Sequence, residues 1–392
     1  MNKPKHKSLA ADLRGISQLA VQATLGVTDL VEAVHDNILG SGLKPSNGRT
    51  RGLTGLIYKA IRGTTGAVGH GLDKALGALT PHLGTSTERV EREHALSALN
   101  GIVGDHLHGS SNPLAITMQF RQNGKALALH EASDMQAIPE VTGRIVILVH
   151  GLCMNDMQWS RKTSDGQIYN YGHALYEDFG LTPVFLHYNT GLSISENGRL
   201  FDGHIEALVE AWPVAVDEIL IVAHSMGGLV TRKAHHHANS KNRKWRKYVR
   251  KVVFLGTPHH GAPLERGGHW VDLVLGSTPM ATPFAKIGKI RSIGITDLRH
   301  GLSTTDFPGR LPLPADVESL AIAAQTGTGP FELHRELIGD GLVPVDSALG
   351  RHKDPDRHLE FADSHRLVFQ GLNHLDLLSD QAVYAAIKRF MT

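Results

Sequence analysis

The stretch ILIVAHSMGGLV, residues 219–230, carries the strongest local signal in this sequence. Five apolar residues run into His224 and Ser225, and a pair of glycines then precedes a further apolar run. A short apolar run of this kind indicates a buried strand, and the residues after it predict a helix. A serine between such a strand and helix is held in a strained backbone conformation that lifts its hydroxyl above the sheet. Two interpretations follow: a nucleophilic serine, or a glycine-rich turn with an incidental serine.

The residues on either side of Ser225 distinguish these interpretations only in part. The positions two before and two after a nucleophilic serine must be small, because strand and helix pass closely there. Ala223 and Gly227 meet this requirement, with alanine where glycine is more usual. A serine nucleophile also needs a base, an acid that orients the base, and donors for the oxyanion, so each must be found elsewhere in the chain.

The oxyanion donors are predicted to be two backbone amides. The strand RIVILVHG, residues 144–151, ends at His150 and Gly151, and the loop after such a strand faces the nucleophile. The amide of Leu152 in this loop and the amide of Met226, directly after the serine, are therefore the predicted donors. The alternative for His150 and Gly151 is an ordinary turn at a strand end.

The acid and the base are expected after the last two strands of the sheet. In LIGDGLVPVDSALG, residues 337–350, Asp340 lies between two glycines in a turn that can present a carboxylate, and Asp346 is the second candidate. An aspartate that only forms a turn is the alternative for both. His374 follows the apolar run that ends at Gln370, and the chain order Ser225, Asp340, His374 is the one this arrangement requires. Ser225 would attack an acyl carbon, His374 would move its proton, and Asp340 would orient the imidazole.

The pattern after residue 113 predicts an α/β fold. Short apolar strands alternate there with helical segments, which indicates a mostly parallel sheet covered on both faces. Residues 262–315 interrupt this rhythm and are predicted to form an inserted helical cap. Apolar side chains in the cap could line an acyl pocket or simply pack the cap, and the candidates for substrate binding are Trp270, Leu273, Met280 and Phe284.

Residues 1–112 differ from the rest of the chain in composition and in hydrophobic pattern. They are poor in aromatic residues, and their apolar residues recur at helical spacing, which predicts an N-terminal amphipathic helical region. We therefore divide the chain into this region and a catalytic domain of residues 113–392. The apolar stripes could pack on the catalytic domain or on a second subunit, which we favour, or rest on a lipid or hydrophobic surface.

Composition excludes several classes of protein. The net charge of the 392 residues is only +2, and a solvated surface is the favoured interpretation of the basic run KNRKWRKYVRK (241–251), so no nucleic acid partner is predicted. Cys153 is the single cysteine, which rules out an intramolecular disulfide. We see no signal peptide and no membrane-spanning run, and we expect a cytoplasmic protein, with peripheral membrane association left open. No cofactor is predicted, and the oligomeric state stays open.

Five motifs together resemble the α/β-hydrolase superfamily, and within it the bacterial lipases and esterases. They are VHGLCMND, AHSMGG, FLGTPHHGAP, GDGLVP and NHLDLL, and they occur in the family's order over residues 113–392. A looser similarity is to lipases related to inositol deacylases. The resemblance implies a Ser-Asp-His triad. Asp376 stands where calcium-dependent lipases of the family bind the ion, but a helix-capping aspartate is favoured and no metal is predicted.

These observations predict a serine hydrolase that cleaves carboxylic esters of apolar acyl groups through an acyl-enzyme. An acyltransferase or an intracellular polyester depolymerase would use the same triad and is the nearest alternative. A catalytically silent lipid- or surface-binding protein is the alternative from a different class.

Overall fold

The chain divides into two compact units. The computed structural model describes residues 90–129, 138, 141–162, 166–262, 292–301, 311–314, 316–327 and 339–392, with a few isolated helical positions before residue 90. One unit comprises residues 1–88 and 107–115, and the other comprises residues 89–106 and 116–392. The second unit contains the β-sheet and every side chain considered below for catalysis.

An eight-stranded sheet organises this unit, with strand order β10-β9-β8-β7-β3-β6-β1-β2. Its strands are β1 (Gln119–Gln122), β2 (Lys125–Ala126), β3 (Arg144–Val149), β6 (Thr182–His187), β7 (Glu218–His224), β8 (Val249–Leu255), β9 (Glu318–Gln325) and β10 (Arg366–Gln370). A separate ribbon pairs β4 (Arg161–Lys162) with β5 (Ile168–Tyr169). Six neighbouring strands are parallel to one another, namely β10, β9, β8, β7, β3 and β6. The strands β1 and β2 extend the sheet beyond β6 in antiparallel pairing.

The central parallel strands are buried on both faces of the sheet. Ile145 to Val149 of β3 and Ile219 to Ala223 of β7 are almost completely removed from solvent. Such near-continuous apolar strands are stable only when helices cover both sides of the sheet. The chain passes from β3 to β6 on one side and then returns to β7 on the other side, so the strand order reverses between β3 and β7. Ligands of open α/β sheets bind outside the carboxyl ends of the strands at such a reversal.

Seven α-helices accompany the strands within the described residues. They are α1 (Val90–Gly109), α2 (Tyr171–Phe179), α3 (Ile194–Ala211), α4 (Met226–Ser240), α5 (Ile293–His300), α6 (Val345–Ala348) and α7 (Gln381–Met391). The connections from β6 to β7 and from β7 to β8 cross the sheet in the same direction, so right-handed crossovers place α3 and α4 on the same face, where they pack against each other. None of the described helices is both long enough and apolar enough to cross a membrane.

The architecture confirms the predicted α/β-hydrolase fold with a mostly parallel central sheet. The strand predicted to begin at residue 144 is β3, and the apolar run predicted to end at Gln370 is β10, which ends at that residue. Most of the predicted cap (263–291 and 302–310) and nearly all of the N-terminal apolar stripes lie outside the described residues. The division at residue 112 therefore stays a prediction.

A buried carboxylate joins α3 to the segment after α4. Asp202 of α3 is fully buried and accepts a hydrogen bond from Trp245 Nε1 at 2.8 Å. It also lies 2.7 Å from His237 Nδ1 and accepts from Arg243 Nε at 3.1 Å. The basic run predicted as a solvated surface is thus partly structural, because it carries Trp245 into the core as part of the 3₁₀ helix Lys244–Tyr248.

We expect Asp202→Ala to lower the free energy of unfolding by about 3 kcal/mol, because it leaves the buried indole N–H of Trp245 and the Arg243 guanidinium without their acceptor. Urea denaturation measures the change. Glu196→Ala is the matched control: it breaks the exposed ion pair with Arg199 on the same helix and should cost less than about 1 kcal/mol. Equal losses in the two variants would contradict the structural role of Asp202.

The neighbouring His235 makes stability sensitive to acid. Its ring packs edge-on against Trp245, with centroids 4.7 Å apart, and burial lowers its pKa to about 4. The unfolded chain therefore binds this proton first as the pH falls below about 6.5. The folded state is then disfavoured progressively between pH 6.5 and pH 4, so stability rises with pH across this window.

Replacing His235 by leucine should reduce the slope of this pH dependence, to which the other buried histidines also contribute. One proton difference contributes a slope of about 1.4 kcal/mol per pH unit to the free energy of unfolding, and His235→Leu removes it. Denaturant unfolding at a series of pH values between 4 and 6.5 measures the slope. The exposed His173 on α2 provides the control substitution, His173→Leu. An unchanged slope in His235→Leu would show that another group dominates this range.

Candidate active site

The predicted site residues converge on one edge of the sheet. Ser225 follows β7, the segment from His150 to Leu152 follows β3, and Gly256 follows β8. Asp340 lies beyond β9, and His374 comes shortly after β10. Because these strands are parallel, all of these segments leave the sheet at its carboxyl end, where the strand order reverses.

Ser225 forms the strand–serine–helix turn that the sequence indicates. Its φ of 55° and ψ of −124° place a non-glycine residue at positive φ, which is a strained conformation. Its backbone N–H donates to the carbonyl of Leu255 at 2.8 Å, which ties the turn to the neighbouring strand. The Ser225 hydroxyl is buried and has no hydrogen-bond partner among the described residues. An unsatisfied buried hydroxyl at a strained position is a feature of functional sites.

Two glycines allow the close packing around this turn. A Cβ atom at Gly227 would lie 2.6 Å from the carbonyl oxygen of Val149, so only glycine lets α4 begin against the end of β3. A Cβ atom at Gly151 would lie 3.0 Å from the Cβ of Ser225. The loop after β3 is therefore in direct contact with the serine, as predicted for a loop that supplies an oxyanion donor.

Asp340 and His374 form a buried pair. His374 Nδ1 lies 2.5 Å from Asp340 Oδ2, and both side chains are about 1% exposed. The other carboxylate oxygen accepts hydrogen bonds from the amides of Leu342 and Val343 at 3.0 and 2.8 Å. The His374 amide also donates to the Asp340 carbonyl at 3.1 Å. The turn thus fixes the carboxylate, and the carboxylate fixes the orientation of the imidazole.

The alternative acid, Asp346, is not brought to this histidine. It lies in the first turn of α6 and is exposed, with Oδ1 at 3.9 Å from Arg351 Nη1. The turn between two glycines, and not the helix that follows it, therefore presents the carboxylate.

Two further histidines contact the site and are held neutral. His224 Nε2–H donates to the carbonyl of His374 at 3.0 Å, and the two rings have centroids 4.5 Å apart. Burial, aided by the charge of His374, holds the pKa of His224 well below its ordinary value. Burial also lowers the pKa of His150 to about 3, and its Nδ1 lies 2.9 Å from the Gly151 carbonyl. Neither ring therefore adds a positive charge beside Ser225 near neutral pH.

The two predicted oxyanion donors belong to the residue after Ser225 and to the loop that contacts it. Met226 is the first residue of the 15-residue helix α4, where backbone amides have no partner within the helix and the helix dipole favours negative charge. Leu152 follows Gly151, which contacts the serine. Among the described residues, no group accepts a hydrogen bond from either amide. These amides therefore stay available for an oxyanion, and their role stays a prediction.

The proposed acyl-pocket residues Trp270, Leu273, Met280 and Phe284 lie outside the described residues.

Asp376 begins the 3₁₀ helix Asp376–Leu378, and its carboxylate accepts from the amide of Asn373 at 2.8 Å. Within the described part of the chain, no three His, Cys, Asp or Glu side chains are grouped so that they could hold a metal ion.

The sequence reasoning left some residues of the site without a role. Gly256 has a φ of 56°, and a Cβ atom there would lie 2.9 Å from His374 Cε1, so this position admits the imidazole only as glycine. Tyr188 stacks on His150 with centroids 4.5 Å apart and donates its hydroxyl to the His150 carbonyl at 2.8 Å. Gly256 is visible in the sequence as the glycine directly after the apolar run of β8, whereas the Tyr188 contact has no local signal.

A groove of about 710 Å³ lies apart from this edge, beside β1 and β2. Phe120, Leu127 and Leu200 contribute apolar surface, and Arg199 and Arg243 line it as well. Both arginines are already paired with carboxylates, Arg199 with Glu196 and Arg243 with Asp202. The groove thus borders the Asp202–Arg243 contact, which joins α3 to the segment after α4.

Comparison with known proteins finds one matching family model and several similar solved structures. Residues 114–299 match a family described as a domain of unknown function, DUF7379. No curated protein matches the chain significantly. Similar solved structures include the lipase BlEst2 of Bacillus licheniformis (18% identity, 64% of this chain and 92% of that chain, TM-score 0.43). Lipase B of Aspergillus fumigatus is also similar (11% identity, 96% and 82%, TM-score 0.37).

The phospholipase PlaB of Legionella pneumophila is a third similar structure, with 15% identity over 52% of this chain and a TM-score of 0.36. This chain spans 45% of the length of that protein. The architecture of the chain itself supports the assignment of its fold more directly. Its parallel sheet reverses strand order at β3, a strained Ser225 turn follows β7, and the buried Asp340–His374 pair follows the last two strands. The chain therefore has the α/β-hydrolase fold.

Proposed function

We propose that this protein is a serine hydrolase that cleaves carboxylic esters of apolar acyl groups through an acyl-enzyme. The observation that carries the proposal is the buried Asp340–His374 pair, with its 2.5 Å separation, on the same sheet edge as the strained Ser225 turn. A silent binding protein has no need of an oriented imidazole and a strained serine at the same site, so these features favour an enzyme.

The acylation step follows from these positions. The Ser225 oxygen attacks the ester carbonyl carbon while His374 Nε2 accepts the hydroxyl proton. Asp340 holds the tautomer that leaves Nε2 basic and stabilises the imidazolium. The negative charge that develops on the carbonyl oxygen is bound by the amides of Leu152 and Met226, and each such donor typically contributes about 3–4 kcal/mol to transition-state stabilisation. The imidazolium then protonates the alcohol as the C–O bond breaks, which leaves an acyl-Ser225 ester.

Deacylation repeats these steps with water. His374 takes a proton from the attacking water, the tetrahedral intermediate collapses, and the proton returns to the serine oxygen as the carboxylic acid leaves. An acyltransferase would use an alcohol in place of water at this step. Product analysis with added alcohol acceptors separates these two outcomes.

The preference for apolar acyl groups rests on the sequence of the predicted cap. We propose that Trp270, Leu273, Met280 and Phe284 contact the acyl chain. The cytoplasmic location and a peripheral contact of residues 1–112 with a lipid or hydrophobic surface are likewise proposals. An ester series of increasing acyl length, assayed with this protein, measures the depth of the pocket.

Ser225→Ala should lower ester turnover by about 10⁴-fold or more, because the acyl-enzyme can no longer form. The assay is hydrolysis of p-nitrophenyl esters, with covalent labelling by a fluorophosphonate probe as a second readout. Ser240→Ala, which changes a serine at the far end of α4, is the matched control and should keep both turnover and labelling. Full turnover in Ser225→Ala would overturn the mechanism.

Substituting the two candidate acids in parallel tests which one orients the base. Asp340→Asn should reduce kcat by about 10²–10⁴-fold, because the amide favours the wrong imidazole tautomer. Asp346→Asn should leave kcat within about twofold of the wild type, since surface substitutions rarely disturb a distant site. Steady-state kinetics and thermal unfolding of both variants make the comparison. A larger loss in Asp346→Asn would reassign the acid.

A further inference from the structure

We propose that Cys153 is a positioning residue that holds the Leu152 amide in place by packing on helix α1 at Gly101. This inference rests on the proposed function, because it assigns a role within the same oxyanion hole. Under this proposal helix α1, which precedes the sheet in the chain, supports the loop that carries the Leu152 amide.

Cys153 adopts a conformation that needs external support. Its φ of 59° places a non-glycine residue in the left-handed region, directly after Leu152. Such a conformation persists only where surrounding contacts determine it. Its backbone N–H donates to Thr190 Oγ1 at 3.1 Å, and the Met154 amide closes a turn onto the Gly151 carbonyl at 3.3 Å. The thiol is buried 3.9 Å from the Ala98 carbonyl of α1.

Gly101 provides the space that this thiol occupies. A Cβ atom at Gly101 would overlap the Sγ of Cys153 and would lie 3.0 Å from its Cα. Glycine destabilises the interior of a helix relative to alanine, so its presence here is explained by the close approach of the loop. Gly104, which directly follows a kink of α1 at Val103, is packed in the same way against Asn189, whose side-chain amide donates to the Gly104 carbonyl at 2.9 Å.

The far end of the same loop is also tied to α1. Asn155 Nδ2 lies 3.3 Å from Ser97 Oγ, within hydrogen-bonding distance. The next residue, Asp156, is buried, and its Oδ1 lies 3.3 Å from Arg121 Nη1. Arg121 in turn contacts Glu93 of α1 at 2.8 Å. The loop from Leu152 to Asp156 is therefore held against α1 at both ends.

The role of the thiol is steric and not chemical. Burial raises the pKa of Cys153 to about 12, so the sulfur stays protonated at neutral pH and is a poor nucleophile. An oxyanion donor acts only at a well-defined distance from the developing charge, and loss of one donor reduces kcat by about 10²–10³-fold. A shift of Cys153 would displace the adjoining Leu152 amide. The site would then bind the transition state less tightly, while its affinity for the substrate would change less.

The test is a double-mutant cycle at Gly101 and Cys153. Gly101→Ala should reduce kcat for a p-nitrophenyl ester by about 10–100-fold with KM changed less than about threefold. Cys153→Ala alone should reduce kcat less than Gly101→Ala does, because it removes only the thiol. The double variant Gly101→Ala/Cys153→Ala relieves the overlap with the sulfur and should recover kcat about tenfold relative to Gly101→Ala.

Gly109→Ala is the matched control on the same helix, since nothing lies within 4 Å of a Cβ atom there. It should leave kcat unchanged. Thermal unfolding of every variant separates loss of folded protein from loss of turnover. If Gly101→Ala lowers the melting temperature while the folded protein keeps its kcat, or if the double variant shows no recovery, the positioning role is overturned.

Substitutions at Thr190 test the same idea if Gly101→Ala fails to fold. Thr190→Val keeps the shape but removes the acceptor of the Cys153 amide, and kcat should fall about tenfold with KM nearly constant. Thr190→Ser restores the acceptor and should recover most of that loss. Equal kcat in the valine and serine variants would overturn the proposal. Failure of the proposed function would be seen separately, as a wild-type protein without ester turnover or fluorophosphonate labelling, and it would overturn the positioning role as well.

Discussion

The contact of helix α4 with the end of strand β3 is the constraint on which the rest of the site depends. At Gly227 the helix begins so close to the carbonyl of Val149 that no side chain fits between them. This approach leaves the chain no room for a wider turn, and Ser225 is held at a φ of 55°. The helix therefore begins at Met226, directly after the serine, and the loop after β3 contacts Ser225 through Gly151. A wider turn would change the Ser225 conformation, the start of α4 and the contact between Gly151 and Ser225 together.

A second constraint is the distribution of charge in this buried edge. Charges are costly in the interior unless they are paired, and buried imidazoles lose their proton for that reason. His150 and His224 are neutral through burial, so they serve as spacers and hydrogen-bond donors. His374 differs from them in its contacts, because the Asp340 carboxylate lies against its Nδ1. The protein thus distinguishes one histidine from its neighbours by placing a carboxylate beside it.

The sequence predicted those parts of the structure that local pattern controls. The apolar strands, their alternation with helices and the small residues beside Ser225 are each visible within a short window of sequence, and the structure agrees with them. Asp340 and His374 were identifiable because the order of a parallel sheet dictates where a loop after each strand must emerge. The burial of Trp245 within a basic run was not predicted, because the acceptor that draws it inward, Asp202, is more than 40 residues away.

The sequence by itself determined the fold class and placed Ser225, His374 and an aspartate after β9 at the same sheet edge, because strand periodicity and chain order are local and topological properties. The tertiary structure decided which of the two aspartates reaches the imidazole: Asp340 lies buried against His374, whereas Asp346 is exposed on the first turn of α6. It also decided that Gly101 of α1 lies beneath Cys153. That contact joins segments 52 positions apart through packing, and packing between distant segments depends on shapes that no short stretch of sequence encodes.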